Sequence, residues 1–146
     1  MFVDLSDRRV LVVGAGKIAA RRIKTLALFC GDITVVAPEI CPEIEETGAT
    51  LVRRAYLPAD LEGMDLALAA TDDAALNAEI AAACRARGVP VNVSSDQTLC
   101  DFFFPGVAVK GPVVAGVTAS GVDHALARRA TAAVRDALQR LAEQES

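Results

Sequence analysis

The chain is poor in aromatic residues: they occupy 4% of its 146 positions, while 53% are hydrophobic. Alanine and valine carry most of the apolar content. A core built from them relies on close strand-helix packing, not on stacked rings. Histidine occurs once, at His124, and the four cysteines, Cys30, Cys41, Cys84 and Cys100, form no C-x-x-C pair. That inventory argues against a structural zinc site, so no metal ligands are assigned. It leaves the cysteines as buried or half-buried thiols of a reducing compartment. Positive charge is not in surplus, the net charge being -4. Phosphate contact needs a basic face, so no nucleic-acid partner is expected. No apolar run reaches the roughly 20 residues of a membrane span. Met1-Phe2-Val3-Asp4-Leu5 has neither the charged start nor the apolar stretch of a signal peptide. No membrane association is therefore expected, and the chain is placed in the cytoplasm. It shows no internal repeat and no low-complexity linker. Its length suits one domain with a real core, or one domain plus a small appendage.

What is present is an alternation of two periodicities. Arg9-Val10-Leu11-Val12-Val13 is a β-branched run that reads as a buried parallel strand. Residues 17–29 follow with helical spacing of Ile18, Ile23, Leu26 and Ala27. A second strand is read at 33–36, and Pro38 is expected to open a short acidic helix over 39–46. Further strands are read at 50–53, 65–70 and 90–93, with an alanine-rich helix over 73–87 stopped by Gly88. This order implies an α/β fold, a Rossmann-type doubly wound parallel sheet. The pattern changes after residue 94. A loop-like stretch over 94–105 carries Phe102-Phe103-Phe104, which read as core or dimer packing. Two short strands flank Lys110-Gly111-Pro112, and a helix over 123–143 aligns Leu126, Ala130, Val134, Leu138 and Leu141. A hairpin and one helix bury little alone and either cover an edge of the sheet or pair with a second chain; pairing is the favoured reading, so the division is a 1–105 dinucleotide-binding domain and a 106–146 dimerisation region of a homodimer.

Gly14-x-Gly16-x-x-Ala19 matches the dinucleotide fingerprint in its G-x-G-x-x-A form. Gly14 permits the tight turn, Gly16 lets the backbone approach a pyrophosphate, and Ala19 allows close helix-strand packing. The pyrophosphate would meet the free N–H groups at the start of the helix near Lys17. Such a loop between strand and helix points to NAD. The acid expected at the end of the second strand arrives about two residues late, at Glu39, and no arginine stands there to favour a 2'-phosphate.

Several segments taken together resemble the precorrin-2 dehydrogenase / sirohydrochlorin ferrochelatase family, the N-terminal module of siroheme synthases. They are Phe2-Val3-Asp4-Leu5, Val12-Val13-Gly14-Ala15-Gly16-Lys17-Ile18-Ala19 with Arg21-Arg22, and Thr34-Val35-Val36-Ala37-Pro38-Glu39. Further on come Ala69-Ala70-Thr71-Asp72-Asp73 with Leu76-Asn77, Val91-Asn92-Val93, Leu99-Cys100-Asp101-Phe102-Phe103-Phe104-Pro105, and Ala127-Arg128. The resemblance implies a Rossmann domain followed by a dimerisation region. It implies NAD-dependent oxidation of precorrin-2 to sirohydrochlorin in siroheme biosynthesis. Some members also insert ferrous iron, which would make that ion a second substrate. By the same resemblance the cofactor contacts Lys17 and Ile18, then Pro38 and Glu39, while Thr71 and Asp72 edge the nicotinamide. Two positions depart from the family. Its catalytic aspartate follows the Asn-Val strand, where Ser95 stands here, and a proline is usual at His124.

Both dehydrogenation and metal insertion remove protons from pyrrole nitrogens and call for a general base. Asp96, in a loop at the C-terminal edge of the sheet, is the candidate, with the alternative of a helix-capping aspartate. His124 is the second candidate, as base or transient metal ligand, since imidazole titrates near neutrality. Asp101 is expected to fix the loop before the phenylalanines. Lys17, Arg21, Arg22, Arg53, Arg54, Arg128 and Arg129 could pair with substrate carboxylates, or be an ordinary solvated face. The competing reading of the whole chain is a dinucleotide-sensing regulatory module without catalysis.

Overall fold

The computed structural model describes residues 1–144. The chain divides into two compact units, the first ending at Phe103 and the second beginning at Phe104. The expected boundary lay two residues later.

The first unit holds five parallel strands: β1 (Arg9–Val13), β2 (Asp32–Val36), β3 (Thr50–Val52), β4 (Leu66–Ala69) and β5 (Val91–Val93), in the order β3-β2-β1-β4-β5. β1 is central because it can be buried on every side. Val10, Leu11 and Val12 are fully buried, paired through Val10 with Ile33 on one side and Leu66 on the other. Helix α1 (Lys17–Leu26) presents Ala19, Ala20, Ile23 and Leu26 to the core, and the small Ala19 lets it lie close to the sheet. It stops short of the expected residue 29. Its bonds change there to three-residue spacing, Leu28 N–H to Thr25 at 3.2 Å and Phe29 N–H to Leu26 at 2.9 Å.

The short helix α2 (Pro42–Glu45) starts later than expected. Pro38 does not open it; Pro42 does. Cys41 N–H donates to the Ala15 carbonyl at 3.1 Å and Ala37 N–H to Val52 at 3.1 Å, which ties the intervening segment to the sheet's C-terminal end. A one-turn 3-10 helix over Pro58–Leu61, absent from the sequence reading, precedes β4. Helix α3 (Ala74–Ala86) is capped by Asp73, which accepts from Ala75 and Leu76 N–H, and Gly88 adopts φ +66° just past its end.

β5 is an edge strand, and residues 96–102 cover its edge. Asp101 N–H donates to Val91 O at 2.8 Å and its carboxylate accepts from Val91 N–H at 3.0 Å. Cys100 Sγ accepts from Val93 N–H at 3.1 Å, and Asn92 Nδ2 donates to Phe102 O at 2.8 Å. This stretch is not all loop, since Gln97–Leu99 forms a 3-10 turn. Satisfying the edge's polar groups within the chain blunts it against further strand pairing.

The second unit is an antiparallel hairpin, β6 (Gly106–Lys110) and β7 (Val113–Val117), with helix α4 (His124–Gln144) packed on β6. Contact is close where Gly106 meets Thr131, whose Oγ1 would stand 2.1 Å from a Cβ on that glycine. Ala130, Val134 and Leu138 belong to the half-buried side of α4 as expected, but Leu126 and Leu141 are exposed, at 47% and 57%. The seam turns toward Ala127 and Thr131 because the close approach to Gly106 sets the helix rotation. Among the described residues of this unit only Ala108 and Thr131 are buried. No helix among the described residues is long and apolar enough to cross a membrane.

Candidate functional site

Connections leave β1 in opposite directions: toward β2 and β3 on one side, and across to β4 and β5 on the other. At such a switch point the loops diverge and open a crevice beyond the C-terminal strand ends. A cleft of about 960 Å³ lies there. All eight residues expected to bind the cofactor line it: Gly14, Gly16, Lys17, Ile18, Pro38, Glu39, Thr71 and Asp72.

The two glycines do different work. Gly14 has φ +99°, and a Cβ there would stand 2.4 Å from the Ala70 carbonyl oxygen. It lets the β1 turn and the end of β4 approach each other. Gly16, at φ -87°, has no atom within 4 Å of where its Cβ would be, so the missing side chain leaves open space at the mouth of α1. Ala20 N–H to Gly16 O, at 2.9 Å, is the first rung of the helix ladder, which leaves the N–H groups of Lys17, Ile18 and Ala19 outside it. No side chain caps this end and no acid occupies the first turn. The positive end of the helix dipole therefore faces the cleft uncompensated, beside a backbone stripped of side-chain bulk. That combination fits a pyrophosphate.

On the opposite wall, Thr71 is held by Asn77. Its N–H donates to Asn77 Oδ1 at 3.1 Å and its hydroxyl to the same oxygen at 2.7 Å, while Asn77 Nδ2 returns a bond to Thr71 O at 3.0 Å. In the sequence Asn77 stands beside Leu76 in the family motif, with no role implied. An amide in the apolar stripe shared with Ile80, Ala81 and Cys84 was the available signal. Cys41, Ala55, Tyr56 and Leu76 also line the cleft and were missed. They come from loops and a helix face that converge only in the folded chain.

Asp96 is exposed and starts the 3-10 turn, accepting from Thr98 N–H at 2.9 Å and Thr98 hydroxyl at 2.6 Å. Those bonds hold its carboxyl below the ordinary carboxylate range. Asp96 is not among the residues lining the cleft. His124 is the exposed first residue of α4, in the second unit, behind Asp123, whose carboxylate accepts from Leu126 N–H at 2.8 Å. Among the candidate cations, Arg53 pairs with Glu45 and Arg54 with Asp60, while burial holds Arg22 below the usual guanidinium range. Lys17 and Arg21 line a shallow groove with Lys24 and Glu43, and Arg128 and Arg129 are exposed. Among the described residues no three His, Cys, Asp or Glu side chains gather as a metal cluster.

Residues 1–106 match the profile of a family described as "Putative NAD(P)-binding". The siroheme synthase of Sodalis glossinidius (strain morsitans) is 40% identical over 132 residues, covering 88% of this chain and 28% of that protein. The siroheme synthase of Pseudomonas fluorescens (strain Pf0-1) is 42% identical over 132 residues, with the same coverage of 88% and 28%. The chain thus spans little more than a quarter of the curated relatives it matches. Among solved structures, SirC, precorrin-2 dehydrogenase, superposes with a TM-score of 0.75 at 28% identity, over 93% of this chain and 69% of that one.

Proposed function

The chain belongs to the family described as "Putative NAD(P)-binding", and we propose that it oxidises precorrin-2 to sirohydrochlorin with NAD as hydride acceptor. The observation that carries this reading is the cleft at the β1/β4 switch point. It unites the fingerprint glycines, the β2 end and the Thr71-Asp72 wall in a chain similar to siroheme synthases and to a precorrin-2 dehydrogenase. NAD, when bound, supplies the carbon centre that takes the hydride. The free N–H groups of Lys17 and Ile18 would hold the pyrophosphate. Glu39, presented after Pro38, would accept from ribose hydroxyls, and its negative charge would disfavour a 2'-phosphate. Thr71 and Asp72 would flank the nicotinamide half.

Oxidation also releases a proton from a pyrrole nitrogen. We assign its acceptance to Asp96, whose bonds from Thr98 keep it ionised but weaken it as a base. The step then leans on positioning the macrocycle, which can supply several kcal/mol without a strong base. Where ferrous iron is a second substrate, His124 is the group assigned to it. The second unit buries so little of itself that it is assigned to pairing in a homodimer, and equilibrium sedimentation giving a monomer mass would reject that assignment. The four free thiols fit a cytoplasmic location.

The test is turnover. The protein, precorrin-2 and NAD are mixed, and NADH is followed by its absorbance, with and without ferrous iron. NADH formation that requires all three components supports the reading. NAD binding with no NADH formed returns the chain to a sensing module without chemistry.

A further inference from the structure

Asn77 is fully buried. A buried amide costs stability unless its two donors and two acceptor sites are all met, and here all four are. Beside its three bonds to Thr71, Nδ2 donates to Ser95 Oγ at 3.1 Å. A leucine would fill the same stripe of α3 with no polar group to satisfy, so packing alone does not call for an amide. What the amide does is fix the N–H, carbonyl and hydroxyl of Thr71 and the hydroxyl of Ser95 at one point. Thr71 follows β4 and Ser95 follows the neighbouring β5, where Ser94 N–H is bonded to Ala69 O at 2.9 Å. One side chain thus locks the ends of two adjacent strands. Because Ser95 Oγ accepts from Asn77, its own proton remains available, and among the described residues no group takes it.

We infer that Asn77 is a positioning residue that couples the cofactor wall at Thr71 to a substrate-facing hydrogen-bond donor at Ser95. The inference rests on reading the cleft as the NAD site. The fingerprint puts the adenine ribose at the end of β2. With the pyrophosphate at Gly16, Thr71 at the end of β4 would be among the residues that hold the nicotinamide half. A substrate that approaches the nicotinamide from the β4–β5 side would pass the loop after β5. Ser95 stands on that side, and its O–H suits an anionic acceptor such as a substrate carboxylate.

The test compares the full chain with Ser95→Ala, Asn77→Asp and the pair. NAD affinity is read by calorimetry, tetrapyrrole kcat/KM by NADH formation, and stability by thermal melting. Ser95→Ala is expected to keep NAD affinity, to lower the melting temperature by a few degrees because one Asn77 Nδ2 donor loses its acceptor, and to lower kcat/KM about 10-fold, the scale of one hydrogen bond to a charged group. Asn77→Asp keeps the shape and the acceptor but removes both donors. It should weaken NAD binding and kcat/KM by about 10-fold each. The pair should turn over no worse than Asn77→Asp alone, since Ser95 is aimed only through Asn77. Unchanged kcat/KM in Ser95→Ala, effects that multiply in the pair, or an Asn77→Asp that loses only melting temperature would overturn the inference. Where Asn77→Asp does not fold, Ser95→Ala decides alone. A wild-type chain that does not bind NAD rejects the cofactor reading itself. If it binds NAD without turning over precorrin-2, the NAD affinity of Asn77→Asp decides: weakened supports the coupling, unchanged overturns it.

Discussion

A Cβ on Gly14 would stand 2.4 Å from the carbonyl oxygen of Ala70. The neighbour is backbone, fixed by Ala70 N–H donating to Val13 O at 2.8 Å, so it cannot yield like the end of a flexible side chain. Gly14→Ala also forces a side chain onto φ +99°. The two effects together should cost on the order of 3 kcal/mol, lowering the melting temperature by roughly 10 °C. A thermal melt within a degree of wild type would show that the turn relaxes freely.

Gly16→Val should behave in the opposite way. Its Cβ meets nothing and its φ of -87° suits any residue, so the protein should melt near the wild-type temperature. The branched side chain would occupy the space in front of the free N–H groups. NAD affinity should fall at least about 10-fold, or ~1.4 kcal/mol. Calorimetry giving equal affinity in the folded variant would dismiss the pyrophosphate assignment.

The contact between Gly106 and Thr131 should show as coupling. Gly106→Ala pushes a methyl group into Thr131 Oγ1, and overpacking of this kind costs about 1–3 kcal/mol. Thr131→Ala removes the obstructing atom, so the double variant should recover part of the loss. Strict additivity in denaturant melts would mean that hairpin and helix separate easily.

The thiols should react in a set order. Burial pushes Cys84 up to about 11, so it carries almost no thiolate at neutral pH. Cys30 is likewise buried, whereas Cys41 is half-exposed in the cleft. A thiol reagent should modify Cys41 well before Cys84, and saturating NAD should slow the Cys41 reaction. Equal labelling with and without NAD would place the cofactor elsewhere.

Acid should weaken the loop after β3 through Asp60. Its carboxylate takes bonds from Arg54 at 2.6 and 2.9 Å and from Leu57 N–H at 2.8 Å, and the Arg54 bonds chiefly hold its pKa below the ordinary value. A lowered folded-state pKa adds stability that is present above the unfolded value, about 3.9, and is lost as pH falls through the folded one. Asp60→Asn should therefore be less stable than wild type at pH 7, and the gap should close in strong acid. A gap that stays constant with pH would remove Asp60 from the acid response.

Much of this arrangement follows from local sequence. Val10 to Val13 read as a buried strand, and Gly14 to Ala19 as a turn from strand to helix, because period and turn chemistry act over a few residues. The residues after β1, β2 and β4 that line the cleft were legible for the same reason: each lies at a strand's C-terminal end. Other features depended on contacts between segments distant in sequence. Pro38 and Pro42 are equally able to open a helix, and the bond from Cys41 to Ala15, 26 residues earlier, selects Pro42. Leu126 and Leu141 continue an apolar stripe on paper, but the approach of Thr131 to Gly106 turns the helix away from them. Asn77 looks like one polar residue in an alanine-rich helix until Thr71 and Ser95 converge on it. Periodicity says which face of an element is apolar; only packing says which atoms of another element meet it.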